Sequence, residues 1–75
     1  MTKADKMMLE CGYKFIIRND EMEVFANCDN EIIAFRLLME NYLGYKGEEE
    51  EAILIDKTLQ LAITEKMREF GWYEE

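Results

Sequence analysis

The sequence predicts an α+β fold, with an N-terminal helix, an antiparallel sheet of three or four strands, and a C-terminal helix packed on one face of that sheet. Two changes of hydrophobic period support this prediction: apolar residues recur every three or four positions near both ends of the chain and every second position after Tyr13. Both helical segments also end alike, in MLECGY over residues 8–13 and MREFGW over residues 67–72. In each, a left-handed glycine can end the helix without a steric clash. A chain of 75 residues is predicted to form a single domain, 1–75.

The C-terminal helix is predicted over Lys57–Phe70. Asp56 precedes it as the N-cap, where a carboxylate accepts hydrogen bonds from the free N–H groups of the first turn. Gly71 ends the helix, and Trp72 is expected to fold back onto Met67. The apolar residues share one face at helical spacing: Leu59, Ala62, Ile63, Met67 and Phe70.

The N-terminal helix is predicted over Thr2–Cys11. Thr2 and Asp5 have the spacing of a capping box, in which each side chain accepts a hydrogen bond from the other residue's backbone N–H. Four residues then follow the spacing of one helical face: Ala4, Met7, Met8 and Cys11.

Two strands joined by a turn at residues 19–20 are predicted next, because the period changes to two. The buried face of the first strand is expected to hold Tyr13, Phe15 and Ile17. That of the second strand is expected to hold Met22, Val24 and Ala26. This assignment leaves Phe25 on the polar side of the second strand.

Residues 31–45 allow two interpretations. As strands, residues 32–38 and 42–45 flank a turn at residues 39–41; as a helix, Asn30 is the cap and Ile32, Phe35, Met39 and Tyr42 share a face. The β-branched start and the preceding hairpin favour strands. Residues 48–51 are predicted to form a solvated loop, and residues 52–55 a short last strand or a buried lead-in to the C-terminal helix.

The composition bears on chemistry and location. The chain has no histidine and two cysteines, so the commonest general base is missing and the side chains typical of zinc sites are too few. We therefore expect no enzymatic activity, no cofactor and no metal. Cys11 and Cys28 are expected to be small buried apolar residues in a reducing compartment. With no long apolar segment and no signal-like start, the protein is expected to be cytoplasmic and not membrane-bound.

The chain is acidic, and its charge is unevenly distributed along the sequence. The net charge is −8, and residues 38–75 account for −6 of it, with ten acidic and four basic side chains. Such a surface repels nucleic-acid phosphate and attracts basic protein surfaces. We therefore expect no direct nucleic-acid binding. The predicted partner-binding residues combine the acidic run with large aromatic side chains of the kind enriched at interfaces: Glu48, Glu49, Glu50, Glu51, Tyr42, Tyr45, Trp72 and Tyr73.

Two stretches, Ala4–Lys14 and Ile53–Trp72, resemble a family of small phage and prophage proteins of Gram-positive bacteria. The resemblance lies in a helix that ends in Gly-Tyr-Lys and a last helix that ends in Glu-x-Gly-Trp. It implies a helix, three or four antiparallel strands and a second helix, in the cytoplasm of an infected bacterium. The family has no established catalytic residues to transfer to this chain.

Three functions remain open. The first is a protein-binding accessory protein that blocks a host or defence protein with a basic groove, one concrete form being an inhibitor of an RNA-guided nuclease. The second is a structural or oligomerising accessory protein, and the third is a protein that sequesters a small ligand. A homodimer is favoured over a monomer because four aromatic residues exceed what a minimal core requires: Phe25, Tyr42, Tyr45 and Trp72.

Overall fold

The computed structural model describes residues 1–73 and has the predicted α+β fold. One four-stranded sheet in the order β1-β2-β3-β4 is antiparallel throughout, and one helix precedes it while another follows it. The strand interpretation of residues 31–45 is therefore confirmed. The elements are α1 Lys3–Glu10, β1 Lys14–Arg18, β2 Met22–Ala26, β3 Glu31–Arg36, β4 Asn41–Lys46 and α2 Lys57–Glu69.

Both helices begin and end as predicted. The Thr2 side chain caps α1 in a capping box with Asp5, and the Asp56 carboxylate accepts a hydrogen bond of 2.8 Å from the Leu59 N–H at the start of α2. At both C-terminal ends the backbone forms a Schellman motif, with N–H to carbonyl bonds from Tyr13 to Met8 at 2.9 Å and from Trp72 to Met67 at 3.1 Å. The shared ending is thus a local property of each helix.

The core lies between the two helices and one face of the sheet, which we call the covered face. Phe25, Ile33 and Phe35 supply its strand residues. The predicted exposure of Phe25 is wrong, because only 1% of this residue is exposed. The side of β2 that the helices cover carries Glu23 as well as Phe25, and Glu23 is paired there with the buried Lys66, so the alternation of polar and apolar residues indicates the wrong side. The helix residues of this core are Met8, Leu59, Ala62 and Ile63.

Strand β1 also differs from the prediction. A β-bulge between Phe15 and Ile17 interrupts the alternation, so Phe15 pairs with Phe25 on the covered face while Ile17 pairs with Val24 on the other. Phe15 is 52% exposed and Ile17 42% exposed, whereas Tyr13 is buried as expected. Phe15 and Ile17 are therefore not buried on one face as expected. The bulge places them on opposite faces, and both are exposed because β1 is an edge strand.

The chain between β4 and α2 is irregular. Residues 47–50 form a turn closed by a bridge between Lys46 and Glu51, and residues 52–55 form no strand but a lead-in to α2. Ile53 packs over Gly44, where a Cβ atom would lie only 3.2 Å from the Ile53 Cδ1 atom. Ile55 also packs against the core, but Leu54 between them is 94% exposed. The lead-in is therefore only half-buried.

Both cysteines carry free thiols. Cys11 is half-buried beside the core, but Cys28 is exposed, which contradicts its predicted burial. Its position explains the difference, because it lies in the tight turn after β2. Neither helix within residues 1–73 has the length and apolar character needed to cross a membrane.

Candidate protein-binding surface

Within residues 1–73 both helices pack on the covered face, and we call the second face of the sheet the open face. Strand pairing defines it: one row runs across all four strands from Ile17 through Val24 and Ala34 to Leu43. None of these residues belongs to the core cluster. The apolar residues of the open face are Ile17, Met22, Val24, Ala26, Ile32, Ala34, Leu43 and Tyr45.

The open face is apolar and partly accessible. Leu43 is 46% exposed, whereas Val24 in the same row is only 7% exposed although it lies outside the core cluster. Two cationic side chains, Lys14 and Arg36, share the face in strand register. A contiguous exposed apolar surface surrounded by polar groups is typical of a site that binds another protein.

The turns at the two ends of the sheet are acidic. They comprise residues 19–21, 27–30, 37–40 and 47–50, and none of them contains lysine or arginine. We call them the acidic turns. Between them they carry seven carboxylates: Asp20, Glu21, Asp29, Glu40, Glu48, Glu49 and Glu50.

The structure separates the predicted partner-binding residues into different places. Glu48, Glu49 and Glu50 lie on the last acidic turn, and Glu51 closes it. Tyr45 lies on the open face, next to Lys46, whose bridge to Glu51 closes that turn. These five residues are the part of the predicted site that the fold brings together.

The other three aromatic residues lie elsewhere. Tyr42 is on the covered face, where its hydroxyl donates to Gln60 Oε1 at 3.3 Å. The Trp72 ring packs against Phe70, with ring centroids 5.1 Å apart. Tyr73 is exposed, with the Arg68 guanidinium 5.9 Å from its ring centroid. Glu74 and Glu75, which the sequence offers as an extension of the acidic surface, lie outside the described residues.

These placements change the basis of the homodimer prediction. Phe25, Tyr42 and Trp72 all pack in or against the core, so they are not surplus aromatic residues. Sequence reasoning instead missed the row that contains Ile17, Val24 and Leu43. A signal was present, because residues 15–17, 24–26 and 32–35 are apolar in both phases, which is typical of strands with two apolar faces.

A cluster of four charged side chains, Asp5, Arg18, Glu23 and Lys66, was also missed. Lys66 Nζ lies 3.1 Å from Asp5 Oδ1 and 2.8 Å from Glu23 Oε1, and Arg18 Nη2 bonds the same two oxygens at 2.9 and 3.2 Å. Only 3% of the Lys66 side chain is exposed. It also lies 4.8 Å from the Phe70 ring centroid, within reach of a cation–π interaction.

The charged cluster connects α1, β1, β2 and α2 and carries no net charge. Burial alone would raise the pKa of Asp5, but the hydrogen bond and charge of Lys66, with the charge of Arg18, outweigh burial and lower it. The carboxylate therefore stays ionised and paired at neutral pH. Because its charges satisfy one another, the cluster joins elements of the fold and offers no charge to a partner.

Within residues 1–73, no group of three or more His, Cys, Asp or Glu side chains is arranged to hold a metal ion. Comparisons with protein-family models, with curated proteins and with solved structures find no match.

Proposed function

We propose that this chain acts by binding a protein partner, with the open face against an apolar surface and the acidic turns against basic residues around it. The observation that carries this proposal is that an uncovered apolar sheet face lies between turns that contain only acidic charge. The net charge of −8 also supports a partner with a basic surface. Electrostatic complementarity of this kind guides association and selects the partner.

The two parts of this surface contribute differently. Exposed carboxylates act over a Debye length of about 8 Å at physiological salt and mainly raise the association rate. Apolar residues such as Leu43 and Tyr45 lose water only in the formed complex and mainly slow dissociation. The charges and the apolar face can therefore be tested separately.

A second copy of the chain is the other candidate occupant of the open face. Two open faces packed together would bring the acidic turns of one copy close to those of the other, and like charges oppose such an arrangement. A partner with basic residues around an apolar centre meets both features at once. Complementary charge thus favours a different protein over self-association.

The resemblance to small phage proteins supports a setting for this activity. In an infected bacterium, a compact acidic protein would act by occupying the basic groove of a host or defence protein. An RNA-guided nuclease is one protein class with such a groove, since it binds nucleic acid through basic residues. This setting is part of the proposal.

Site-specific photo-crosslinking can test the proposal. A benzoylphenylalanine at position 43 would probe the open face, and the same residue at position 61 is a matched control because Leu43 and Leu61 are 46% and 53% exposed. Each variant would be irradiated in a lysate of a Gram-positive bacterium. We expect a protein to be captured from position 43 and not from position 61.

The captured protein would then be purified and its association rate measured at two salt concentrations. The variant with Glu48, Glu49, Glu50 and Glu51 all changed to Gln should associate about tenfold more slowly at low salt and with a weaker salt dependence. An association rate indifferent both to salt and to the four substitutions would contradict the proposal. Capture of only a second copy at position 43 would also contradict it.

A further inference from the structure

The two edge strands of the sheet differ in what covers them. At β4, Lys46 exchanges backbone hydrogen bonds of 2.8 and 3.1 Å with Glu51, and Ile53 packs over Gly44. At β1 all five residues are exposed, and β2 is the only described strand beside it. The backbone N–H and C=O groups on the outer side of β1 form no hydrogen bond within residues 1–73. We call this side the free edge.

The centre of the free edge is apolar. Phe15, Ile16 and Ile17 are each between 42% and 58% exposed, and no proline interrupts the strand. An exposed edge strand is a template on which an extended segment can add, because its outward N–H and C=O groups exchange water for backbone partners. The free edge therefore has both the backbone groups and the apolar side chains that strand addition requires.

An apolar groove of about 290 Å³ lies beside the free edge, between α1 and β1, and we call it the edge groove. Met1, Asp5 and Leu9 line it from the α1 side, about one helical turn apart, and Phe15 lines it from β1. Met1 and Leu9 are exposed, and the Asp5 carboxylate is already paired within the charged cluster. The edge groove therefore offers an accessible apolar wall to a side chain that enters from the free edge.

An added strand would point its side chains alternately toward the edge groove and toward the open face. In antiparallel pairing, like that of the rest of the sheet, the residue opposite Phe15 lies on the covered face and enters the edge groove. The next residue of the added strand lies opposite Lys14, on the open face. Backbone hydrogen bonds thus supply affinity, and these two side chains supply specificity.

The charge of Lys14 determines which side chain fits opposite it. Lys14 is exposed and forms no ion pair within residues 1–73, whereas Arg18 at the other end of β1 is already bound to Asp5 and Glu23. A carboxylate directly opposite Lys14 forms a cross-strand pair of opposite charge, which stabilises the pairing of the two strands. The free edge therefore favours a segment with an acidic residue at this position.

A second copy of the chain does not meet this requirement. Its two edge strands, with the sequences KFIIR and NYLGYK, contain no carboxylate. Antiparallel pairing of two β1 strands that aligns Phe15 with Ile17 also places Lys14 opposite Arg18, and like charges directly opposite each other are destabilising. The β-bulge limits regular pairing to a short stretch, which further protects this edge from its own kind.

We propose that the free edge binds an extended segment of another protein by strand addition, and that this segment carries an aromatic residue followed directly by Asp or Glu. The aromatic side chain occupies the edge groove, and the carboxylate pairs with Lys14. This site goes beyond the proposed function, because it uses the outer backbone groups of β1 and the edge groove rather than the acidic turns.

The test uses the peptide acetyl-Thr-Val-Thr-Phe-Glu-Thr-amide and two controls. One control has Lys in place of Glu, and the other carries N-methyl groups on the adjacent Thr and Phe residues, which removes a backbone donor whichever of the two faces β1. Each would be titrated into the full chain at low salt while backbone amide signals are followed by NMR. We expect saturable shifts and slower hydrogen exchange at residues 14–18, with each control binding about tenfold more weakly. Equal affinity for the N-methylated peptide would overturn the proposal.

Two pairs of variants sharpen this test. Lys14→Glu should weaken binding of the Glu peptide by about tenfold and favour the Lys peptide. Its matched control is Lys57→Glu, the same charge change at the exposed start of α2, which should leave the ratio of the two affinities unchanged. Leu9→Ser, in the wall of the edge groove, should weaken binding of the Glu peptide by about threefold. Leu61→Ser, at an exposed leucine of α2 outside the groove, should not.

An equal effect of Lys14→Glu and Lys57→Glu would mean that the peptide senses only net charge, and the proposal would be wrong. Slow exchange of the outward β1 amides without peptide would show that a second copy already pairs there, which would also overturn it. Either result leaves the open-face proposal standing, because crosslinking at position 43 probes the opposite edge strand. Conversely, a peptide bound at β1 with no partner captured at position 43 would count against the proposed function alone.

Discussion

The covered and open faces of the sheet are formed by the same four strands, yet at the centre of the sheet they differ in the size of their side chains. In one row of the covered face Phe25 pairs with Ile33, while in the central row of the open face Val24 pairs with Ala34. Large side chains give the helices enough apolar contact to pack closely, whereas small ones leave a flatter surface. At the centre of the sheet, side-chain volume therefore distinguishes the two faces, whereas larger residues of the open face, such as Ile17 and Leu43, lie on the edge strands.

The largest loss of stability should come from truncating a large side chain on the covered face. Phe35 is fully buried and packs against Phe25 and Phe70 with ring centroids 6.0 and 5.4 Å apart. Phe35→Ala should lower the free energy of unfolding by about 3–5 kcal/mol. Leu43→Ala on the open face should cost less than about 1 kcal/mol, since it is already half-exposed. Urea denaturation measures both, and similar losses would mean that the two faces are equally buried.

A smaller loss should follow from breaking the charged cluster at the margin of the covered face. Lys66→Met should cost about 2–3 kcal/mol, because Asp5 and Glu23 would keep only Arg18 as an ion-pair partner. Lys57→Met, at the exposed start of α2, is the control and should cost under about 0.5 kcal/mol. If both variants unfold at the same urea concentration, the cluster contributes nothing to stability.

The pH dependence of stability should depend on the same cluster. Because the pKa of Asp5 is lowered in the folded state, its ionised form stabilises the protein above an ordinary pKa of 3.8, and this contribution disappears as pH falls through the folded value. Wild-type protein should therefore exceed Asp5→Asn in unfolding free energy at pH 7, and the gap should narrow below about pH 4. A gap that is constant from pH 7 to pH 2 would contradict this linkage.

The smallest change in stability is expected at the acidic turns. Changing Glu48, Glu49, Glu50 and Glu51 to Gln should alter the free energy of unfolding by less than about 0.5 kcal/mol, since these side chains are exposed. A loss above about 2 kcal/mol in urea would indicate that the turn belongs to the folding core and not to a binding surface.

The helices could be predicted closely because their limits are set locally. Thr2, Asp56, Gly12 and Gly71 each act within a few residues, and the structure keeps all four in their expected capping positions. The strand positions also followed from local alternation and turns. The faces of β1 and β2 did not, because the side covered by α1 and α2 depends on packing between segments distant in sequence.

The same limit applies to the candidate site. The solvated, acidic character of residues 48–50 could be predicted from composition, and the structure places them in an exposed turn. The burial of Lys66 could not be predicted, since it depends on Asp5, which lies 61 positions away in the sequence. The open face was missed because each strand was assigned a single buried face although residues 15–17, 24–26 and 32–35 are apolar in both phases, and because Ile17 changes sides at a β-bulge.

The contrast between the faces is tested most directly by NMR of methyl groups in the presence of a soluble paramagnetic compound, at micromolar protein concentration. Relaxation should be strongly enhanced for the methyl groups of Ile17 and Leu43 on the open face and weak for those of Ile33 and Ile63, which are fully buried. Equal protection of all four residues would show that another surface, such as a second copy of the chain, already covers the open face, and would contradict its availability to a basic partner.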